Sequence, residues 1–361
     1  MLNVIKKGYI MKLDGRLGYF AWPTVARLQN GAYMVASSGY RMRHIDPFGR
    51  VVASYSLDGE TWTPPGVIAD TGLDNRDAGL LTLKNGKILL TTFTAPRQEL
   101  IDAIPYFECE EKLASLVEEY VRFTPEEKYE EYFVGLIAES DDGIHFSKFR
   151  NIGISSPHGP VQLKSGRLVY VGCRMGKNAP EGIWSAYSDD DGQTWSDFRK
   201  VPLPKDAEKL GWYEPHAIET EENRLLVTVR VQSKETSPEG ISLIPLTIYS
   251  FESVDGGKSY SEPKPMDIIG SPPHLYKTTD GKIILSYGRR EMPMGIRAKI
   301  SEDNGKTWGE EIVLIDDATH IDLGYPSTTE IEKGKYLTVY YRADKKGDNS
   351  SVRYIIWHIE K

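Results

Sequence analysis

Cysteine is nearly absent from this chain: Cys109 and Cys173 are the two in 361 residues, and they form no CxxC pair. That scarcity excludes a disulfide framework and a thiolate metal site. Positive charge is not in excess either. Lys and Arg number 44 against 52 Asp and Glu, a net charge of −8, so there is no electrostatic footprint for nucleic acid or an anionic membrane. Long apolar runs are missing: nothing is long enough to span a bilayer, and residues 1–12 (MLNVIKKGYIMK) hold no apolar core of signal-peptide length. The chain therefore reads as cytoplasmic. Helical periodicity is scarce as well. What remains is a chain 40% hydrophobic and 11% aromatic, ample for a large core.

What the chain does have is a recurring turn. Ser188 to Trp195 (SDDDGQTW) follows the pattern S-x-D-x-G-x-T-W, which returns at Ser301 to Trp308 and Ser253 to Tyr260. Copies one residue shorter stand at Ser56 to Trp62 and Ser140 to Phe146. Ser and Asp side chains bond to nearby backbone N–H groups, Gly takes the φ > 0 position, and the closing aromatic is available for burial. Alternating residues on either side place the turn in a β-hairpin. Identical turns in successive repeats cannot all face one site, so these aspartates are read as structural rather than as calcium ligands or catalysts.

A second phrase, a polar turn followed by an aliphatic run, occurs six times, at Asn30–Met34, Asn85–Leu89, Ser165–Val169, Glu222–Leu226, Asp280–Ile284 and Lys333–Leu337. Six repeats of four short strands predict an all-β fold, a six-bladed β-propeller of four-stranded antiparallel blades occupying residues 1–361 as one domain. The sixth repeat lacks the Asp turn. Leu2 to Met11 and Ser351 to His358 both read as strands; an unpaired C-terminal strand would be a liability, and their pairing is expected to close the ring. The largest insertion, at about 97–131 in blade 2, contains apolar residues at helical spacing over Glu110 to Val121. It is expected to form a helical flap beside the central opening.

In a propeller the first strand of each blade lines the axis, so the starts of these strands face one opening. They read Phe20-Ala21-Trp22-Pro23, Asn75-Arg76-Asp77-Ala78, Ser156-Pro157-His158-Gly159, Tyr213-Glu214-Pro215-His216, Pro272-Pro273-His274-Leu275 and Leu323-Gly324-Tyr325-Pro326. A purely structural core would place Val or Leu there; titratable groups converging on one concavity mark a site instead. The second strands end near arginines: Arg41 or Arg43, Arg97, Arg174, Arg230, Arg289 or Arg290, and Arg342. Guanidiniums facing one opening suit a carboxylate or a polyhydroxylated acidic ligand. The alternative is that each pairs with a carboxylate of a neighbouring blade.

The Asp turns, the six repeats and these ring residues together resemble the sialidase superfamily over nearly the whole chain. The resemblance implies a tyrosine nucleophile activated by a glutamate, with an aspartate as acid/base. Tyr325 in Gly324-Tyr325-Pro326 matches the tyrosine of the last blade, and Glu214, followed by Arg230, matches the glutamate and the arginine after it. A phenol needs a nearby base to become nucleophilic. Two positions depart from the pattern. Phe20-Ala21-Trp22-Pro23 stands where the family has F-R-I-P, and Gly270-Ser271-Pro272-Pro273-His274 stands where a third arginine is expected. Arg76, Arg289 or Arg290 are the substitutes at hand. The acid/base is Asp77 or Asp46, with Asp77 favoured because a strand fixes its facing.

The function that follows is an exo-acting glycoside hydrolase on a terminal sugar that can carry an acidic group; its partners are small saccharides, not nucleic acid or membrane. Two other classes compete. His158, His216 and His274 lie on three consecutive blades, and three imidazoles can bind a divalent metal, as in a metal-assisted lyase. Hydrogen bonding to sugar hydroxyls or neighbouring groups is the preferred use of these rings, so no cofactor is expected. A non-catalytic carbohydrate-binding propeller, with Trp22 stacking on a sugar, is the third reading.

Overall fold

The computed structural model describes residues 2–106, 111–132, 134–176, 178–205, 207–235, 245–345 and 347–359. Six antiparallel sheets are arranged as the repeats predict. Blade 1 runs Tyr19–Arg27, Tyr33–Arg41, Arg50–Ser56, Gly66–Ala69, and blade 2 runs Asn75–Thr82, Ile88–Thr94, Leu136–Ser140, Arg150–Asn151. Blades 4 and 5 open with Leu210–Glu221 and Pro273–Lys277, each strand pairing with the next in sequence. In blade 3 the inner strand is broken into Ile154–Ser155 and Val161–Gln162, both paired with Leu168–Arg174.

Blade 6 closes the ring as expected. Its strands Leu323–Glu332, Lys335–Arg342 and Ser351–Ile359 are completed by Leu2–Met11, which pairs with the last strand in a register that sets Val4 opposite Trp357. The first and last strands of the chain thus share one sheet, in which Ser351–Ile359 is paired on both sides and Leu2–Met11 forms the outer strand.

Each Asp turn is held from within. At Ser188–Trp195 the Gly192 N–H donates to Ser188 Oγ at 2.9 Å, the Thr194 N–H to Asp190 Oδ1 at 2.9 Å, and Trp195 Nε1 to Gly192 O at 3.2 Å. Gly192, at φ 85°, faces Leu89 and Ile137 of the preceding blade, and Gly59, at φ 76°, faces Ile331 and Leu337 of blade 6. The turn therefore shapes its own hairpin and also packs against the neighbouring blade, because the glycine leaves room for that blade's aliphatic side chains.

The insertion forms helices α1 (Arg97–Ala103), α2 (Glu111–Phe123) and α3 (Glu126–Tyr132). Glu110, part of the expected helix, and Cys109 lie outside the described residues. Ala103 and Val117 bury against Met42, Ile45 and Phe48 of the loop that follows the second strand of blade 1. The helices thus brace a loop at the mouth of the opening.

Candidate active site

The inner strands share a local distortion that builds the site. Trp22, Asp77, His158, Glu214 and Tyr325 all have left-handed backbones, with φ of 57°, 51°, 72°, 54° and 49°. Side chains with a Cβ occupy this region at a cost of roughly 1–3 kcal/mol, so the surrounding sheet must hold them there. The ladder slips at these points: register shifts lie between Ala21 and Thr24, Arg76 and Gly79, Tyr213 and His216, and Gly324 and Ser327. In blades 1, 4 and 6 the next residue is proline (Pro23, Pro215, Pro326). Proline has no N–H to give the ladder and is tolerated at such bulges. In blades 1, 2, 4 and 6 the bulge sets the direction of one side chain: Trp22, Asp77, Glu214 and Tyr325.

Two of these side chains meet. The Tyr325 hydroxyl donates a short hydrogen bond to Glu214 Oε1. Arg230 Nη1 donates to both oxygens of Glu214, at 3.0 and 2.9 Å, and its Nε and Nη2 are held by Gln232 Oε1 at 3.0 and 2.6 Å. Burial pushes the Tyr325 phenol well above its ordinary pKa, with the Glu214 and Asp77 charges adding to it and Arg230 opposing. The phenol is therefore neutral at rest, and Glu214 stands as the acceptor of its proton.

Asp77 is the third member. It is almost fully buried, and no described residue donates a hydrogen bond to its carboxylate. Burial pushes its pKa up to about 7, the Glu214 charge adds to the effect, and Arg76, Arg41 and Arg230 oppose it. A carboxyl that keeps its proton near neutrality can donate it. Asp46 is placed differently. It is buried in its own loop, accepting the N–H groups of Met42 at 2.5 Å and Phe48 at 2.6 Å.

The arginines divide in the same way. Arg41 is fully buried, paired with Asp74 and hydrogen-bonded to His44 O at 2.7 Å and Ser38 Oγ at 3.0 Å. Arg76 bonds Glu99 of α1 at 2.8 Å. Both guanidiniums lie over the Trp22 ring, at 4.9 and 4.8 Å. That indole is only 2% exposed, so it anchors cations and has no open face for a sugar. Arg289 reaches Glu311 at 3.7 Å, and Arg342 pairs with Asp317 at 2.5 Å and Asp344 at 3.1 Å. Arg97 opens α1 and pairs with Glu126 at 2.7 Å instead of ending a strand. Arg174 lies 3.6 Å over Phe198, where it lines a cavity between blades 3 and 4. Arg43 is half-buried in the loop, its carbonyl accepting Arg41 Nε at 3.2 Å. Arg290 spends Nε on Leu323 O at 3.1 Å and lies beside Gly324. Pairing with carboxylates thus occupies most of the set.

The three histidines cluster one level deeper on the axis, with ring separations of 4.5, 4.7 and 5.5 Å. They do not hold matching places: His158 shares the left-handed position of Glu214 and Tyr325, whereas His216 follows Glu214 by two residues. His216 Nδ1 accepts the Leu275 N–H at 2.9 Å, His274 Nδ1 accepts the Thr328 N–H at 3.3 Å, and His158 Nδ1 meets Thr24 Oγ1 at 2.9 Å. Burial lowers all three pKa values, His216 to about 3, so the rings are neutral. Among the described residues, no group of three His, Cys, Asp or Glu is arranged to hold a metal ion.

A family model described as a BNR repeat-like domain matches residues 117–339, more than half of the chain. The chain belongs to that family. Solved structures agree with this BNR repeat-like protein in fold. A protein of unknown function from Dyadobacter fermentans superposes with a TM-score of 0.75 at 24% identity, covering 99% of both chains. The NanB sialidase of Streptococcus pneumoniae superposes with a TM-score of 0.66 at 16% identity, over 97% of this chain and 70% of that one. The leech intramolecular trans-sialidase, bound to 2,7-anhydro-Neu5Ac, gives 0.65 at 14% identity, over 98% and 70%. No curated protein sequence matches the chain. The expected likeness to sialidases therefore holds for the fold. No described helix is long and apolar enough to cross a membrane.

Proposed function

We propose that the protein is a sialidase-like exo-glycoside hydrolase acting on a terminal sugar. The observation that carries this reading is the short Tyr325–Glu214 hydrogen bond with Arg230 behind it. As Tyr325 Oη attacks the anomeric carbon, its proton passes to Glu214, and Arg230 stabilises the carboxylate that must receive it. Asp77 supplies the proton that the departing oxygen needs.

The substrate follows from what the cations have left to offer. Arg41 and Arg230 are committed within the protein, so a clamp of three arginines on one carboxylate is not available. An acidic group on the sugar would rely on Arg290 and the remaining N–H groups of Arg76. A single charged contact, or a sugar held mainly through hydroxyls, fits this set better than a bidentate clamp does.

The test is a panel of 4-methylumbelliferyl glycosides of N-acetylneuraminic acid, glucuronic acid and neutral hexoses. Wild-type protein should release fluorophore from one class, and Tyr325→Phe or Glu214→Gln should lower the rate at least about 10³-fold with the melting temperature retained. Full activity in both variants would remove the mechanism.

A further inference from the structure

A cavity of about 910 Å³ lies between blades 3 and 4, and the steps above do not use it. It stands at the same end of the blades as Glu214. Its walls come from the segments that follow the second strands of the two blades, which end at Arg174 and Ser233, and from the start of the inner strand of blade 4. That inner strand makes one wall tall. It begins at Leu210, four residues before Glu214, whereas its counterparts in blades 2 and 6 begin at Asn75 and Leu323, two residues before Asp77 and Tyr325.

The cavity borders the catalytic pair through two side chains. Tyr213, which directly precedes Glu214, is 40% exposed. Its ring lies across Gly211, where an added Cβ would collide with it, and stands 5.8 Å from the Arg230 guanidinium that holds Glu214. Cys173, on the blade 3 wall, meets the backbone on either side of Tyr213: its Sγ lies 3.5 Å from Trp212 O, and the Glu214 backbone hydrogen-bonds the thiol. Val201, Leu203, Ala207 and Trp212 make the floor apolar.

The charge of the walls runs against that of the protein. The chain carries a net charge of −8, yet the cavity collects Arg174, Lys200, Lys205 and Lys234 against Glu181 and Glu208. Among the described residues, no carboxylate pairs with Arg174, Lys200 or Lys205; Arg174 and Lys200 lie instead over the Trp184 ring, at 5.8 and 5.7 Å. Lys234 of blade 4 reaches Glu181 of the blade 3 loop at 2.6 Å, with side chains 40% and 84% exposed, so a ligand's anion can take the place of that carboxylate.

We propose that this cavity is a subsite for a second, acidic sugar of the substrate; calling it the leaving-group side rests on the Tyr325–Glu214 reading. The volume is ample for one or two pyranose rings. The C–H face of a pyranose packs on the Tyr213 ring, and its carboxylate or sulfate is held by the cations of the rim. The substrate is then an acidic oligosaccharide whose charge is read beside the reacting centre. Arg41 and Arg230 can therefore be spent inside the protein without loss of charge recognition.

Isothermal titration of the Tyr325→Phe protein tests this without turnover. The probes are hyaluronan tetrasaccharide, which carries carboxylates, chondroitin 6-sulfate tetrasaccharide, which carries sulfates as well, and neutral chitotetraose. At least one acidic tetrasaccharide should bind about tenfold or more tightly than chitotetraose, and the double variant Lys200→Glu/Lys205→Glu should weaken it about tenfold. Lys258→Glu/Lys306→Glu makes the same change of charge in the Asp turns at the other end of the blades, and should alter the affinity less than about threefold. Equal weakening by both double variants would reduce the effect to net charge and overturn the subsite. Equal affinity for the neutral and acidic probes, or no saturable binding of either acidic probe below about 10 mM, would overturn it as well. The reading beneath it fails separately, through full activity in Tyr325→Phe.

Discussion

Tyr325 and Glu214, 111 residues apart in the chain, share a short hydrogen bond at the axis of the propeller. Each arrives there from the same bulge on a different blade, with a left-handed backbone and a proline after it. The pair therefore depends on ring closure as much as on its own residues.

Closure is testable through the first strand. Deleting residues 2–11 removes the strand paired with Ser351–Ile359 and uncovers Trp357, which is fully buried. The deletion should lower the melting temperature by 10 °C or more, or prevent soluble expression. An unchanged thermal transition would show that closure does not depend on this strand.

Arg230→Ala should leave Glu214 as a charge with no cation on it. Both side chains are 16% exposed, so the loss is that of a mostly buried pair, about 3 kcal/mol. Chemical denaturation should show this, together with loss of turnover. Gln232→Ala removes only a neutral acceptor and should cost about 1 kcal/mol.

The Asp77 carboxyl makes a pH-dependent contribution of definite sign. Its folded value, about 7, exceeds the ordinary carboxylate value, so below pH 4 it is protonated folded or unfolded and costs nothing. As pH rises toward 7 the unfolded chain ionises first and stability falls, by up to a few kcal/mol, and the penalty is constant above that. Asp77→Asn should raise the melting temperature at pH 8 and leave it nearly unchanged at pH 4. Turnover, which needs the protonated acid, should fall in the wild type as pH rises through about 7.

The helical insertion should matter to the site without touching it. Leu100, nearly fully buried, packs with Leu73, Ala95 and Val121 under the loop that holds Ile45. Leu100→Ala should cost about 2–4 kcal/mol. Any residual activity at low temperature should show a weakened KM more than a lowered rate constant, because Arg76 loses the firm placement of Glu99.

By itself the sequence determined the fold: spaced Ser, Asp and Gly in a turn, and alternating apolar strands, are local signals that each repeat states independently. It also pointed to Glu214 and Tyr325, since repeat alignment brings equivalent strand starts to one axis. The fate of the arginines was decided by the tertiary structure. Whether Arg41 faces a ligand or Asp74 depends on a carboxylate 33 residues away, and Arg76 depends on Glu99 in an insertion with no repeat to align it. Asp46 and His44 show the same limit. They are two residues apart on one loop, yet backbone N–H groups turn the first inward, while Asp322 and Tyr19 hold the second at the mouth. Asp46 is turned by its own loop, but His44 takes its direction from Asp322, 278 residues away, a partner that stands beside it only once the ring has closed.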